Sequence, residues 1–341
     1  MIDLDELRRT IERGYGIRTQ SLVELDAGVR TTNLRALTDA GELFVKVYPA
    51  SASLARELGA LSLGALACTH GVPVPETLPT LRGELLLADE NAALSLHRWC
   101  PGRSLTRLDL RAAASGARAL GMIHRTFLTL PESSQTSMHA ERFFVYDSIQ
   151  RRDWFGHLQS LARQRSDAFA QRAVPLLERR IELLAAAPLH LPRLAKLPTQ
   201  VGHGDSSVLN FLFTDEGAVA GVVDFGPPEP YFRDFELSRI AFDPETLASC
   251  DNWREIAQSA LAAYLEVFPA ARVPSLALGP ALWLCHLLRS DLGVKQHLLD
   301  PHPTQQARLD RYWECRCAAA EILLRELAPL EAEIADLVRA G

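Results

Sequence analysis

An aspartate at 205, an asparagine five residues on and a second aspartate at 224 punctuate one short stretch, VGHGDSSVLNFLFTDEGAVAGVVDFG. Its pattern reads as a loop, a strand (Phe211 to Phe213), a turn at Asp215-Glu216-Gly217 and a second strand (Val219 to Val223) that ends at Asp224. Such a hairpin delivers two carboxylates and a carboxamide to its ends. Oxygen donors suit a hard divalent cation, and a carboxylate beside an alcohol can orient the hydroxyl and take its proton. Phosphoryl transfer requires both functions. Each residue alone reads as a turn or cap residue. Order, spacing and strand context together carry the chemical reading.

A second group lies upstream. Lysine is scarce, the only three being Lys46, Lys196 and Lys295, so a retained lysine invites a specific reason. Lys46 sits in Phe44-Val45-Lys46-Val47-Tyr48, where alternation puts it on the face opposite Val45 and Val47, and Glu57 follows on the next helical stretch.

The elements that must position these groups are legible as patterns. Residues 18 to 48 form three alternating strands with turns at Asp26-Ala27-Gly28 and Asp39-Ala40-Gly41. Leu54, Leu58, Leu61 and Ala65 mark a helix from Ser53 to His70, and VPVPETLPT and GELLLAD return to extended structure. Beyond Pro101-Gly102 helical periodicity dominates: one face through Leu108, Ala112, Leu120, Ile123 and Phe127, a long helix from Arg163 to Ala187, a Pro-punctuated loop to Gln200, and a tail helix from Asp310 to Arg339. The boundary between lobes is placed at the hinge, giving 1–98 and 99–341.

His203-Gly204-Asp205 with Asn210, then Val-Val-Asp224-Phe225, resembles the H-G-D-x-x-x-x-N and D-F signatures of the aminoglycoside phosphotransferase family, a pattern shared by choline, homoserine and methylthioribose kinases. The resemblance implies an α+β, protein-kinase-like two-lobed fold, with a five-stranded antiparallel sheet in the amino-terminal lobe and a mainly helical second lobe. It implies Asp205 as catalytic base, Asn210 and Asp224 as ligands of Mg2+, and His203 as a support of the loop. Lys46 would hold the α- and β-phosphates of ATP or GTP while paired with Glu57. Gly28-Val29-Arg30-Thr31-Thr32-Asn33 takes the nucleotide-loop position, with Thr31, Thr32 and Asn33 toward the phosphates. Backbone groups of Arg98 and Cys100 would meet the purine at the hinge, and Val72-Pro73-Val74-Pro75 is similar to a further family element. Asp234 matches the family's structural aspartate.

The acceptor is expected to be a small-molecule alcohol, either an antibiotic or natural product such as an aminoglycoside or nucleoside, or a metabolite of the homoserine, choline or sugar type. Its site is expected among Asp205, the segment from Phe143 to Phe155, and the helices bearing Trp283, Arg289 and Asp291. Asp147, Asp153, Glu229 and Asp291 offer charge to a polycation, whereas Trp154, Phe155, Trp283 and the arginines suit a less cationic ligand. A non-catalytic nucleotide-binding scaffold is the reading from another class, and the intact Asp205, Asn210 and Asp224 speak against it.

Other classes fall away. A net charge of −6 lacks the basic excess of nucleic-acid proteins. No apolar run reaches the ~20 residues of a membrane span, and the start lacks the layout of a secretory signal, so a cytoplasmic protein is expected. The six cysteines lack zinc-knuckle spacing, and no metal spacing links His286, His297 and His302. Asp224-Phe225-Gly226 spells a protein-kinase motif, yet Pro227-Pro228-Glu229-Pro230 leads at once into DFELSRIAF, with no room for an activation segment. No G-x-S-x-G elbow surrounds Ser206 and Ser207.

Overall fold

The computed structural model describes residues 3–26, 31–89, 93–130, 138–145 and 147–340. In chain order the elements are α1 (Leu4–Tyr15), β1 (Thr19–Leu25), β2 (Thr32–Thr38), β3 (Gly41–Tyr48), α2 (Leu54–Thr69), β4 (Thr77–Leu78), β5 (Leu87–Ala88) and β6 (Ala93–Arg98). There follow α3 (Leu110–Phe127), α4 (Met138–Phe144), α5 (Ser148–Arg163), α6 (Ala168–Leu183), α7 (Ala187–Leu194), β7 (Thr199–Gln200), β8 (Phe211–Phe213), β9 (Val219–Val222) and β10 (Tyr231–Phe232). The chain ends in α8 (Arg233–Ala241), α9 (Pro244–Ser249), α10 (Trp253–Val267), α11 (Gly279–Arg289), α12 (Val294–Leu299) and α13 (Gln306–Arg339). No helix among the described residues is long and apolar enough to cross a membrane.

Two compact units emerge, and the chain divides between them discontinuously: residues 1–104, 203–205 and 210–228 form the first, the remainder the second. The first holds an antiparallel sheet in the order β1-β2-β3-β6-β4, with β5 also on β6. Alternation along β3 sends Leu43, Val45 and Val47 into a core closed by Leu7, Ile11 and Tyr15 of α1. Asp3 starts α1 by accepting from the amides of Asp5 and Glu6, and Gly16 ends it at φ 69°. The opposite face of β3 carries Tyr48, which packs with Leu61 of α2 and Leu86. The sheet has six strands where the sequence suggests five, because Leu87 and Ala88 add a two-residue strand at the end of β6.

The β8–β9 hairpin belongs to this first unit, so the units are not cut at residue 98. Arg103 and Phe213 exchange two backbone hydrogen bonds (2.9 and 2.7 Å), and Val222 donates to the Pro73 carbonyl at 2.7 Å. Gly221 leaves room for the Cys100 sulfur, which would lie 2.7 Å from an added Cβ.

The second unit is helical apart from the β7–β10 pair. Phe155, Leu158, Phe169, Leu177 and Trp313 form the centre of one core. Two helix boundaries depart from the sequence reading. The stretch 163–187 is broken at Asp167, whose carboxylate caps α6 by accepting from the Ala170 amide at 2.9 Å. The Pro-rich stretch after it winds into α7, where Pro188 occupies the first turn, a position that has no amide partner to lose.

Candidate functional site

His203 anchors the H-G-D loop. Its buried ring accepts from the Asp205 amide (3.2 Å) through Nδ1 and donates from Nε2 to the Val223 carbonyl (2.9 Å). It also stacks near Phe225, with centroids 4.5 Å apart. The imidazole thus ties the loop at 205 to the end of β9, and both nitrogens are engaged. Gly204 adopts φ 86°, a conformation that favours glycine, and a Cβ there would sit 2.8 Å from the Gly226 Cα. Gly226 donates to the His203 carbonyl at 2.7 Å. The two motif loops therefore meet backbone to backbone.

Asn210 closes a single 3₁₀ turn and reaches back, its Nδ2 donating to the Asp205 carbonyl (2.8 Å) and Oδ2 (3.2 Å). With the amide nitrogen so used, the oxygen Oδ1 is the atom left for a cation. Asp224 holds φ 61°, the only non-glycine positive φ among the described residues. Aspartate tolerates this region better than most residues, and such strain concentrates at working sites. Asn210 and Asp224 offer oxygen donors alone, which fits Mg2+, a cation that fills its remaining positions with water and phosphate oxygens.

Lys46 sits with Asp224. Its ammonium donates to Oδ1 at 2.6 Å, the lysine side chain being 19% exposed and the aspartate 55%. Burial is the largest influence on Lys46 and pulls its pKa down, but Asp224, Tyr48 and, least, Glu57 outweigh it, so the ammonium titrates above its ordinary value. Glu57 was expected as the ion-pair partner. Among the described residues the direct pair is with Asp224, and Glu57 acts only through its field. Its helix α2 instead packs on the D-F-G-P-P segment through two glycines: a Cβ at Gly59 would lie 2.7 Å from Pro228, and one at Gly64 would touch Phe225 at 3.6 Å. Periodicity marks these glycines only as helical small residues, so their role was not legible.

Register sorts the nucleotide-loop residues. Asn33 lies opposite Lys46, as does Ser95 from β6, so the three share one face. Thr31 joins them, its hydroxyl donating to the Asn33 Oδ1 at 3.0 Å. Thr32 pairs with Val47 and falls on the other face, away from Lys46. Gly28, Val29 and Arg30 lie outside the described residues.

At the hinge the Arg98 amide is committed to the Glu76 carbonyl (2.9 Å), and the Trp99 amide to Glu42 (3.1 Å). Cys100, by contrast, makes no backbone hydrogen bond among the described residues. Behind it Tyr48, Ser95, His97 and Thr77 form a chain of contacts of 3.0, 2.9 and 3.1 Å. Burial and then Lys46 push the His97 pKa down to about 4, so this ring is neutral.

In the second unit, α8 carries a buried brace that sequence reading missed. Glu236 accepts from His124 (2.8 Å), whose other nitrogen meets the Tyr264 hydroxyl (2.7 Å). Its backbone carbonyl accepts from Ser206, the residue after Asp205, at 3.1 Å, and a Cβ at Gly202 would collide with its carboxylate. Asp234 pairs with Arg233 at 2.8 Å and is buried, which raises its pKa despite the arginine. Of the carboxylates offered to an acceptor, Asp291 accepts from the Trp154 indole at 2.7 Å and pairs with Arg151 at 3.5 Å, and Asp147 caps α5. Arg289 donates to the Phe143 carbonyl at 2.6 Å and lies over its ring.

A sheet-borne lysine facing a strained aspartate, with an aspartate–asparagine loop tied to it through His203, defines the class of kinase-like phosphotransferases. The profile of the phosphotransferase enzyme family matches residues 21–274, and the chain belongs to that family. It is an enzyme that phosphorylates a hydroxyl group. Comparison with curated protein sequences returns no match. Among solved structures, a spectinomycin phosphotransferase in complex with ADP and spectinomycin aligns with a TM-score of 0.65 and 15% identity, over 94% of this chain and 98% of that one. An aminoglycoside phosphotransferase from Alicyclobacillus acidocaldarius aligns at 0.60 and 14%, over 98% and 96%. A microcompartment-associated aminopropanol kinase aligns at 0.57 and 16%, over 96% and 99%. At such identities the likeness establishes the fold, the α+β kinase-like arrangement of antiparallel sheet and helical remainder.

Proposed function

We propose that this enzyme transfers the γ-phosphoryl group of ATP or GTP, bound as its magnesium complex, to the hydroxyl of a small molecule. The observation that carries the reading is the meeting of Lys46 and Asp224 at 2.6 Å on the same unit as Asp205 and Asn210. Asn210 and Asp224 would hold Mg2+, which would supply positive charge against the phosphates. Lys46 would turn to the α- and β-phosphates, with Glu57 adding field, while Thr31 and Asn33 line the same face. The Cys100 backbone is the hinge group open to a purine edge. Asp205 accepts the hydroxyl proton as the new P–O bond forms and the β–γ bridging bond breaks, leaving the nucleoside diphosphate.

The acceptor is an antibiotic-like natural product or, alternatively, a metabolite: of the carboxylates that could meet a polycation, Asp291 and Asp147 are engaged within the protein, whereas Asp153 is exposed with no hydrogen bond or ion pair among the described residues. The test of the chemistry is Asp205→Asn, which keeps the shape and removes the base. Transfer should fall by about 10²- to 10⁴-fold in kcat with the nucleotide KM unchanged. Full turnover on the true acceptor, or an effect confined to nucleotide affinity, would return Asp205 to a structural role and favour a nucleotide-binding scaffold.

A further inference from the structure

A lysine ammonium rides on a flexible four-carbon stem, so the charge of Lys46 is placed only as well as its surroundings place it. Asp224 fixes it at 2.6 Å, but under the proposed function that carboxylate would hold the metal. Another group must then keep the ammonium in position. The sheet face that carries Lys46 supplies one. Tyr48 stands two residues further along β3, on the same face, and the ammonium lies 5.7 Å from the centre of its ring.

The ring is itself tethered at its far end. Register sets Tyr48 opposite Ala93, and Ser95 opposite Lys46. Yet the Tyr48 hydroxyl lies 3.0 Å from the Ser95 Oγ, so the side chain leans diagonally across β6 toward the cross-strand neighbour of the lysine. Ser95 is fully buried and also meets His97 Nε2 at 2.9 Å, while His97 Nδ1 meets the hydroxyl of Thr77 in β4 at 3.1 Å. Leu61 and Leu86 close over the same tyrosine. Three strands and α2 thus converge on one aromatic ring.

The proton count along this chain closes. Ser95 has one proton to give, and the neutral imidazole donates from one nitrogen and accepts at the other, so every link is satisfied whichever way the chain runs. Burial raises the pKa of the Tyr48 phenol against the pull of Lys46, so the hydroxyl keeps its proton. The chain therefore adds no charge beside the lysine. Apolar residues would fill the same space without the cost of burying polar groups. What the polar chain adds is a fixed place for the tyrosine hydroxyl. We infer that Tyr48 is a positioning residue for Lys46: the chain from Thr77 through His97 and Ser95 pins the ring, and the ring keeps the ammonium on the face where the nucleotide phosphates meet it. The inference rests on the role proposed for Lys46, and no bond forms or breaks at Tyr48.

Calorimetric titration of the full-length protein tests it, with Mg-ADP and, separately, with adenosine, which lacks the phosphates. The proteins compared are the wild type, Lys46→Met, Tyr48→Leu and the variant carrying both changes. Tyr48→Leu should weaken Mg-ADP binding by about 3- to 10-fold and leave adenosine within about twofold, because the ring serves the phosphate end. Once Lys46 is methionine, the same change should alter Mg-ADP affinity by less than about twofold. Tyr48→Phe and Ser95→Ala release the tether while keeping the ring, and each should cost about threefold for Mg-ADP alone. These two milder variants decide the question by the same cycle if Tyr48→Leu fails to fold. Equal losses for Mg-ADP and adenosine, no loss at all, or an effect undiminished in the absence of Lys46 would overturn the inference and return Tyr48 to the core, with the phosphate role of Lys46 intact. Unchanged Mg-ADP affinity in Lys46→Met would overturn that role, and the positioning of Lys46 by Tyr48 with it.

Discussion

Asp224 has two suitors, the Lys46 ammonium that it meets and the magnesium ion assigned to it, and one carboxylate cannot serve both at full strength. In the structure Lys46 pairs with Asp224; under the proposed function the phosphates would offer Lys46 another partner and leave Asp224 to hold the metal. The sign of the coupling follows. Lys46→Met should tighten binding of Mg2+ alone, by at most about fivefold since the aspartate is half exposed and the pair is partly screened. The same change should weaken binding of Mg-ATP, because the phosphate contact is lost. Calorimetric titration with each ligand separates the two. A parallel loss for both would mean that Lys46 only shapes the Asp224 backbone, and no change for either would make it a solvated strand cation.

Helix α9 shows how an element stores a titration. Asp243 caps it with one oxygen, accepting from the Thr246 amide and hydroxyl at 2.9 Å each, and burial raises its pKa to about 7. A folded-state pKa above the unfolded value of ~3.9 means that stability from this group is full below that value and is lost as pH rises through 7. His97 has the opposite sign: its folded pKa of about 4 lies below the ordinary ~6.5, so its contribution is full above 6.5 and falls away toward 4. The two slopes oppose each other between pH 4 and 6.5, so the wild type conceals both. Asp243→Asn keeps the cap and removes one slope. Its unfolding midpoint should drop relative to wild type as pH falls from 7 to 4, and a constant difference across that range would show that Asp243 is already ionised. Elements of this kind also mark what the sequence could disclose. Strands β1 to β3, helix α2 and the β8–β9 hairpin were legible because alternation, 3.6-residue periodicity and turn residues are local. The cap at Asp167 and the first-turn Pro188 are local signals that the periodicity outweighed. The pairing of β5, within the extended GELLLAD, onto β6, the facing of Gly204 on Gly226 and the choice of Asp224 over Glu57 by Lys46 depend on partners distant in the chain. Residue types for the site were visible, but the identity of its neighbours was not.

At the scale of the whole molecule the residues proposed to meet the nucleotide, its metal and the hydroxyl all fall on one unit: Thr31, Asn33, Lys46, Glu57, Cys100, Asp205, Asn210 and Asp224 belong to the first. The first unit is assembled from three separate stretches of chain, so a ligand that stabilises it must act on residues 210–228 as much as on the amino-terminal sheet. Hydrogen exchange reports this directly, since amides that exchange through opening of a unit slow in proportion to its added stability. Mg-ADP at 100 times its dissociation constant should slow such amides in β2, β3, β8 and β9 together by about 100-fold, and leave those of α11 and α13 far less affected. Protection by Mg-ADP confined to residues 1–104 would separate the hairpin from the nucleotide site and remove Asn210 and Asp224 from metal binding.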